Sequence, residues 1–428
     1  MEALATMPKY EEYKDSGVEW LGEIPQEWNL LANKHIFKLK KRLVGKRSRD
    51  YVLLSLTLKG IIKRDMENPE GKFPAEFNSY QKVQIHDIIF CLFDVEETPR
   101  TVGLSSFSGM ITGAYTVFEI YHEHDVKFLY YFYLNLDLNK RMRPLYKGLR
   151  NTIPKDAFLS FKTFVPKKIV QTAIANFLDQ KTTQIDEAIA IKEKQIALLK
   201  ERKQVIIQKA VTQGLDPNVP MKDSGVDWIG KIPEHWEVKR AKYIFDEIDE
   251  RSKSGEEELL SVSHMTGVTP RSEKNISMFM AEDYTGSKLC RENDLVVNIM
   301  WAWMGALGVS NQIGIVSPSY GVFRQKTKST FNPLYLEYLL KSNKYIEYYN
   351  KVSTGLHSSR LRFYGHMLFA MKLGFPRHEE QREIISFLNL QTEKIDLALS
   401  SQFDQINKLK EYKATLINSA VTGKIKVA

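Results

Sequence analysis

Cysteine is scarce in this chain, which has only Cys91 and Cys290 among its 428 residues. Two cysteines in separate apolar stretches give neither a disulfide framework nor a cysteine-rich metal site. No stretch approaches the roughly 18 apolar residues of a membrane-spanning helix, and the N-terminus lacks the basic and apolar segments of a secretory signal. These absences predict a cytoplasmic protein with two buried free thiols.

Motifs that bind nucleotides or metals are missing as well. There is no Walker loop, and no glycine-rich cofactor loop follows a predicted strand. Asn-Pro-Leu-Tyr at 332–335 approaches the Asn-Pro-Pro-aromatic motif of adenine methyltransferases, but it lacks the second proline and is better explained as a turn before a helix. His264, His357 and His366 do not have the spacing of zinc ligands. We therefore expect no catalytic residue, no metal site and no cofactor in this chain.

What the sequence does contain is an excess of positive charge. Lysine and arginine number 61 against 52 aspartates and glutamates, which gives a net charge of +9. The hydrophobic share of 43% is ordinary for a soluble globular protein. A basic surface permits the binding of nucleic acid without requiring it.

The chain also contains two copies of one long segment. Residues 171–212 align with residues 381–422 at a shift of 210 positions, with 18 identities in 42 positions. In both copies, apolar residues recur at alternating steps of four and three, which is the pattern of a coiled-coil seam in a long helix. The predicted seam consists of Leu178, Ile185, Ile189, Ile196, Leu199, Ile206, Leu388, Ile395, Leu399, Ile406, Leu409 and Leu416.

A second repeat, termed here the entry phrase, precedes each globular region. DSGVEWLGEIPQEW at 15–28 returns as DSGVDWIGKIPEHW at 223–236, with nine of 14 positions identical. We interpret its tryptophans as packing anchors. The whole chain is thus a tandem duplication. The predicted domains are a first globular domain at 1–165, a central long helix at 166–214, a second globular domain at 215–375 and a C-terminal long helix at 376–428.

The order of these segments restricts the architecture. The second entry phrase begins soon after the first helix ends, so the second helix can meet the first along its length only by turning back. We therefore predict an α+β protein in which two pseudo-symmetric, mixed α/β globular regions are separated by two long helices that form an antiparallel coiled coil. Such an arrangement suits two readers of DNA half-sites, which differ because the regions diverge.

Basic and polar residues of the two regions are the candidates for DNA contact. Lysine and arginine would contact phosphates, while arginine, asparagine or serine in loops would read bases. For any single arginine, a solvated surface charge is the alternative interpretation. The candidates are Lys41, Arg42, Lys46, Arg47, Arg49, Arg100, Arg150, Asn151, Arg251, Arg271, Ser359, Arg360 and Arg362.

The duplicated entry phrases, the segments FLDQKTTQID and FLNLQTEKID, the Pro-x4-Gln junctions before them and the closing AVTG resemble the specificity (S) subunits of type I restriction-modification enzymes. The resemblance covers essentially the whole chain. It implies that the globular regions are target-recognition domains for a bipartite DNA sequence, and that the helices set the spacer and dock two methyltransferase (M) subunits. It also implies motor-nuclease (R) subunits as partners, with S-adenosylmethionine, ATP and Mg²⁺ bound by the partners rather than by this non-catalytic chain.

Other interpretations of the helices stay open. Asp186, Glu201 and Lys203 have a nuclease-like spacing that recurs at 396–413, but residues 15 positions apart on a helix lie about 22 Å apart and cannot share a metal. An architectural coiled-coil protein with protein-binding ends would explain the duplication, though not the basic excess. Apolar residues outside the seam would dock partner helices or cover the globular regions; they are Ile174, Ile191, Leu198, Val205, Ile207, Phe403 and Ile417.

Overall fold

A computed structural model of the chain describes residues 6–19, 21–65, 76–273, 283–355 and 360–427. The chain divides into two units, one comprising Met1–Glu193 together with Phe403–Ala428 and the other comprising Lys194–Gln402. Each unit therefore joins one globular region to parts of both long helices.

The first globular region is built mainly from short strands, as its brief runs of β-branched and aromatic residues predict. The strands are β1 (Tyr13–Asp15), β2 (Glu23–Pro25), β3 (Asn29–Ala32), β4 (Phe37–Lys40), β5 (Leu54–Thr57), β6 (Gly60–Lys63), β7 (Gln81–Val83), β8 (Ile88–Phe90), β9 (Val102–Leu104), β10 (Gly109–Ile111), β11 (Thr116–Ile120) and β12 (Lys162–Val165). The helices are α1 (Val126–Leu138), α2 (Lys155–Ser160) and the long α3 (Lys168–Gln213).

A four-stranded antiparallel sheet in the order β4-β11-β8-β9 organises this region. Strand β8 is buried at all three positions, and its Phe90 packs with Phe118 of β11 and with α1 in the main core. Two-stranded pairs flank the sheet: β1 with β2, β3 with β12, β5 with β6, and β7 with β10. Strands this short are stable here because their side chains share the core with helices.

The second unit repeats this plan. Its strands are β13 (Met221–Asp223), β14 (Lys231–Pro233), β15 (Glu237–Arg240), β16 (Phe245–Glu247), β17 (Leu260–Ser263), β18 (Gly267–Pro270), β19 (Lys288–Cys290), β20 (Leu295–Val297), β21 (Leu307–Val309), β22 (Gly314–Val316), β23 (Gly321–Gln325) and β24 (Lys372–Phe375). Its helices are α4 (Pro333–Leu340), α5 (Asn343–Val352), α6 (Gly365–Ala370) and the beginning of the long α7 (His378–Val421). The sheet order β16-β23-β20-β21 and the flanking pairs match those of the first unit strand for strand.

The entry phrases pack against the ends of the long helices. Trp28 and Trp236 are almost fully buried, so these two tryptophans are packing anchors as predicted, while Trp20 lies outside the described residues. Gly423 follows α7 with a φ of +72°, and a Cβ there would lie 2.4 Å from Cδ of Pro25. Glycine is therefore required where the helix end meets the first phrase.

A buried glutamine explains the Pro-x4-Gln junctions. In the first unit, Gln171 accepts a hydrogen bond from the backbone N–H of Asp125 at 2.9 Å and donates one to the carbonyl of Pro166 at 2.8 Å. In the second unit, Gln381 accepts from the N–H of Asn332 at 2.8 Å and donates to the carbonyl of Pro376 at 3.0 Å. Asp125 and Asn332 are themselves N-caps, so each glutamine ties the long helix to the N-terminus of a preceding helix.

The long helices run antiparallel within each unit. In the first unit, Lys192 pairs with Gln405 and Asp186 pairs with Lys413, so partner numbers fall as helix numbers rise. In the second unit, Lys203 Nζ lies 2.7 Å from Asp396, and Gly214 at the end of α3 faces Glu380. The predicted combination of mixed α/β regions with an antiparallel coiled coil is confirmed within each unit.

Both cysteines are buried free thiols, as expected. Burial raises the pKa of the Cys91 thiol, and it raises the pKa of Cys290 to about 11. Across the described residues, every helix falls short of the length or apolarity needed to cross a membrane.

Candidate nucleic-acid interface

A buried ion pair lies at the end of strand β4 in the first region. Lys40 Nζ is 2.9 Å from Asp87 Oδ1 and 2.9 Å from Gln84 Oε1, with Glu119 at 3.7 Å. The side chains of Lys40 and Asp87 are less than one tenth exposed. A charge buried to this degree needs its partner, so Lys40 holds the sheet together and is not a free surface cation.

Beside this pair lies a group of cations around an aromatic ring, termed here the Tyr51 face, which consists of Arg42, Lys46, Arg49, Tyr51 and Lys82. Tyr51 lines two neighbouring cavities, one of about 350 Å³ shared with Arg42 and Lys82, the other shared with Lys46 and Arg49. Lys82 Nζ lies 5.3 Å from the centre of the Tyr51 ring, within the range of a cation–π interaction. The predicted candidates Arg42, Lys46 and Arg49 therefore come together.

Sequence reasoning missed two members of this face, Tyr51 and Lys82. Lys82 is the middle residue of β7, between the buried residues Gln81 and Val83. Alternation along that strand was the available signal, because it turns Lys82 to the opposite side from its neighbours. Tyr51 gave no comparable signal, since its place between the cavities depends on contacts far along the chain.

The other candidates near this face differ from one another. Lys41 is exposed. Arg47 is exposed as well, but its Nε donates a 2.8 Å hydrogen bond to Asp50. The backbone turns at Gly45, with a φ of +60°, where a Cβ would meet no atom within 4 Å. Glycine is thus needed there for the turn.

An acidic loop at 94–97 neutralises the second basic cluster of the first region. Arg150 donates two hydrogen bonds to Asp94, Arg143 donates two to Glu96, and Asn151 donates one of 2.9 Å to Glu97. The hydrogen bond from Arg150 lowers the pKa of Asp94, and that from Arg143 lowers the pKa of Glu96. A DNA phosphate would have to displace these carboxylates from Arg150 and Asn151.

Arg100, the remaining candidate of the first region, is half-buried. Its Nε is enclosed and has no hydrogen-bond partner among the described residues. It does not line the cavities of the Tyr51 face.

The candidates of the second region have mixed surroundings. Arg251 is paired with Asp249 at 2.5 Å, and Arg271 is half-buried. Arg360 is exposed, whereas Arg362 Nη1 donates to the carbonyl of Leu361 at 3.0 Å. Ser359 lies outside the described residues.

Gly355 lies in the loop that leads to Arg360 and Arg362, and the packing of that loop explains why it is a glycine. A Cβ on Gly355 would lie 2.4 Å from the carbonyl oxygen of Arg360. The close approach of the loop to Arg360 therefore requires glycine at position 355.

In the second region, the loop corresponding to the acidic loop is aromatic. Trp301 and Trp303 stack with ring centroids 5.9 Å apart and an interplanar angle of 28°, and Trp301 is about half exposed. Asn350 of α5 fixes the loop by donating a 2.7 Å hydrogen bond to the carbonyl of Trp303. The two regions thus hold the same loop by different means.

The predicted seam residues face inward along both long helices. Buried positions are Leu178, Ile185, Ile196, Leu388, Ile395, Ile406 and Leu416. Half-buried positions are Ile189, Leu199, Ile206, Leu399 and Leu409.

The apolar residues outside the seam fall into two groups. Ile174, Ile207 and Ile417 are buried in the unit cores, which agrees with the second of the two alternatives and not with a docking surface. They cover the globular regions instead, because the helix ends pack against the entry phrases. Exposed members are Ile191, Leu198, Val205 and Phe403.

The nuclease-like residues form structural ion pairs across the helices. Lys413 Nζ lies 2.6 Å from Asp186, and Lys203 Nζ lies 2.7 Å from Asp396. Within the described residues, no group of three or more histidines, cysteines or carboxylates is placed to hold a metal ion. The turn predicted at 332–335 is present, since Asn332 caps α4 by accepting hydrogen bonds from the N–H groups of Leu334 and Tyr335.

Comparisons with known proteins bear on the family. No family model matches the chain. The chain is 25% identical over 293 residues to the type I restriction enzyme MjaVIII specificity subunit of Methanocaldococcus jannaschii. The aligned part is 64% of this chain and 64% of that relative, so the chain spans less than two thirds of the relative's length.

Two solved structures share the fold. One is a chain of a type I R-M system studied for its complex assembly and conformational transition, with a TM-score of 0.67, 12% identity, and coverage of 93% of this chain and 98% of that one. The other is the HsdS subunit from Thermoanaerobacter tengcongensis, with a TM-score of 0.52, 13% identity, and coverage of 94% and 98%. This chain has the fold of a type I specificity subunit. The resemblance seen in the entry phrases and helix segments is thereby confirmed.

Proposed function

We propose that this chain is the DNA-recognition subunit of a type I restriction-modification complex and is not itself a methyltransferase or nuclease. The observation that carries the proposal is the specificity-subunit fold, built twice on one strand order, with different charged and aromatic side chains on equivalent loops. A shared framework with divergent loops suits two readers of different sequences. Each globular region, at 1–165 and 215–375, reads one half of a bipartite DNA target.

The long helices, at 166–214 and 376–428, act in this proposal as the spacer and as the docking site for two methyltransferase subunits. The exposed apolar residues Ile191, Leu198, Val205 and Phe403 support this role, since apolar side chains at helical spacing suit a partner helix. Motor-nuclease subunits join the same complex. A titration of the chain with its methyltransferase that saturates at one copy would contradict the predicted two.

Mapping of methylated adenines tests the recognition role. We expect one split motif with an unspecified spacer to lose its methylation when the gene is deleted from the source strain and to regain it when the gene is restored. The control is a strain in which the methyltransferase is shown to be expressed. Unchanged methylation in that background would reject the proposal.

A further inference from the structure

Cations without a carboxylate partner among the described residues gather around Tyr51 in the first region. Arg47, Arg143 and Arg150 are each bound to a carboxylate. By contrast, no aspartate or glutamate in the described part of the chain forms an ion pair with the four cations of the Tyr51 face. Arg42 and Lys82 line one of the two cavities beside Tyr51, and Lys46 and Arg49 line the other. Asp50 and Asp87 also line the first cavity, but they are paired with Arg47 and Lys40.

Backbone hydrogen bonds identify the positions of the second region that correspond to this face. The N–H of Lys82 donates to the carbonyl of Arg42 at 2.7 Å, and the N–H of Leu289 donates to the carbonyl of Glu250 at 2.9 Å. Glu250 therefore occupies the place of Arg42, and Leu289 that of Lys82. Glu250 is in turn bound by Arg324 at 3.2 Å.

A second backbone contact identifies the residue of the second region that corresponds to Tyr51, and the segment that precedes it. The carbonyl oxygen of Val52 lies 2.4 Å from the position that a Cβ on Gly109 would take. The carbonyl oxygen of Glu258 lies 2.6 Å from the position that a Cβ on Gly314 would take. The residue before Glu258 is Glu257, which thus stands where Tyr51 stands in the first region. The segment at 45–51 carries three cations and one acid, whereas the segment at 253–257 carries one cation and two acids. At the described positions of the second region that correspond to Arg42, Tyr51 and Lys82, the residues are Glu250, Glu257 and Leu289, so the cations are not repeated there.

We propose that the Tyr51 face is a docking site for DNA backbone phosphates and that it belongs to the first region alone. Arg42, Lys46, Arg49 and Lys82 supply the positive charge, and the Tyr51 ring supplies a flat surface for the adjoining sugar. A cavity of about 350 Å³ lies near the lower end of the roughly 300–1,000 Å³ range of ligand sites, which suits a single sugar-phosphate unit. Phosphate contacts position a protein without reading sequence. The inference rests on the proposed function.

The salt dependence of DNA affinity tests this site. The full-length chain is titrated with a mixed-sequence DNA duplex at several salt concentrations, and the slope of log affinity against log salt is compared between variants. Each lost phosphate contact reduces that slope by about 0.9. We expect the double variant Arg42→Ala with Lys82→Ala to reduce the magnitude of the slope by nearly two. Its preference among bases, measured with duplexes that carry the methylated motif, should stay unchanged.

Two matched variants give the controls. Lys222→Ala with Lys231→Ala removes the same charge from two exposed positions, one just before and one within the second entry phrase, and should leave the slope unchanged. Arg42→Lys with Lys82→Arg keeps the charge and should restore the slope, because a phosphate accepts either cation. Thermal unfolding verifies that each variant is folded.

The outcomes separate the two proposals. An unchanged slope in the alanine double variant, or an equal loss in the control, overturns the Tyr51 site. A relaxed base preference in the variant Arg42→Lys with Lys82→Arg also overturns it. That result would indicate that the forked guanidinium of Arg42 reads a base. A wild-type chain without salt-dependent DNA binding, together with unchanged methylation in the deletion strain, rejects the recognition role itself.

Discussion

The two globular regions satisfy the same buried carboxylate with cations from different strands. Asp87 precedes β8 and is paired with Lys40 of β4. Its counterpart Asp294 precedes β20 and is bound through two hydrogen bonds, of 2.8 and 2.7 Å, by Arg324 of β23. Arg324 is the fourth residue of its strand, where the first region has Glu119 in β11.

The difference shows which part of the arrangement the fold requires. Asp87 and Asp294 each accept a backbone hydrogen bond, from the N–H of Gln84 at 2.7 Å and of Arg291 at 2.8 Å respectively. The carboxylate therefore fixes the turn before a central strand, and it needs a cation because it is buried. The cation itself can come from the adjacent strand, as in the second region, or from the strand beyond it, as in the first, which leaves the outer surface of each region free to diverge.

The largest expected effect comes from removing the buried cation of the first region. Lys40→Met leaves Asp87 buried and unpaired, so we expect the free energy of unfolding to fall by about 3–5 kcal/mol, measured by urea unfolding of the full chain. Adding Glu119→Arg copies the arrangement of the second region and should recover much of the loss. Lys38→Met, at an exposed position of the same strand, is the control. Equal losses for Lys40→Met and Lys38→Met would contradict the role of the pair.

The next largest effect is expected at the two buried glutamines of the Pro-x4-Gln junctions, which can be compared between the units. Gln381→Ala removes three hydrogen bonds, including one of 3.0 Å to the carbonyl of Thr330. Gln171→Ala removes two of the same kind and a longer one of 3.5 Å between its Nε2 and His124 Nδ1. Because the carbonyls of Pro166 and Pro376 stay buried, we expect losses of about 1–3 kcal/mol, larger for Gln381. Hydrogen exchange at the N-termini of α1 and α4 should rise in the respective variant. Exposed Gln195→Ala serves as the control, and faster exchange there than in either junction variant would reject this explanation.

The glycines after the long helices should respond unequally. Gly214 and Gly423 both have positive φ, which costs a residue with a Cβ roughly 1–2 kcal/mol. At Gly214 the nearest obstacle is the side-chain tip of Glu380 at 3.3 Å, whereas at Gly423 it is the ring of Pro25 at 2.4 Å. Gly423→Ala should therefore lower the melting temperature more than Gly214→Ala, and Pro25→Ala should remove the excess. Equal shifts would show that the close approach to Pro25 is relaxed at no cost.

The smallest effects are expected at the ion pairs between the long helices. The carboxylates of Asp186 and Asp396 are more than half exposed, so Asp186→Asn and Asp396→Asn should each cost less than about 1 kcal/mol. The two losses should be similar and should vanish at high salt, because exposed charges are screened. A loss at only one of the two sites in urea unfolding would break their equivalence.

Repetition made most of the fold predictable from the sequence. The shift of 210 residues identified both long helices, and the four-three spacing identified seam residues that prove to be buried or half-buried. Helix periodicity depends on residues that are close in sequence, so it can be recognised without knowing the tertiary contacts. The same spacing could not show that Ile174 and Ile417 are covered by the globular core, since that depends on which end of each helix meets an entry phrase.

The candidate interface was less predictable. Arg42, Lys46 and Arg49 were identified because they are close in sequence, and they do share one surface. Arg150 looked equivalent, yet it is bound to Asp94, which lies 56 residues earlier in the chain. Pairings at such separation are decided by tertiary contacts, and charge counts along the sequence do not reveal them.

The parts of the chain that form each core determine which unit can finish folding first during synthesis. Among the described residues, the buried members of the main core of the second unit all lie between Ile207 and Leu388. The core of the first unit combines Leu21 and Trp28 with Leu416, Val421 and Ile425 from the far end of the chain. The first region therefore cannot cover its apolar surface fully until residues 416–425 have been made, whereas the second region can close before then.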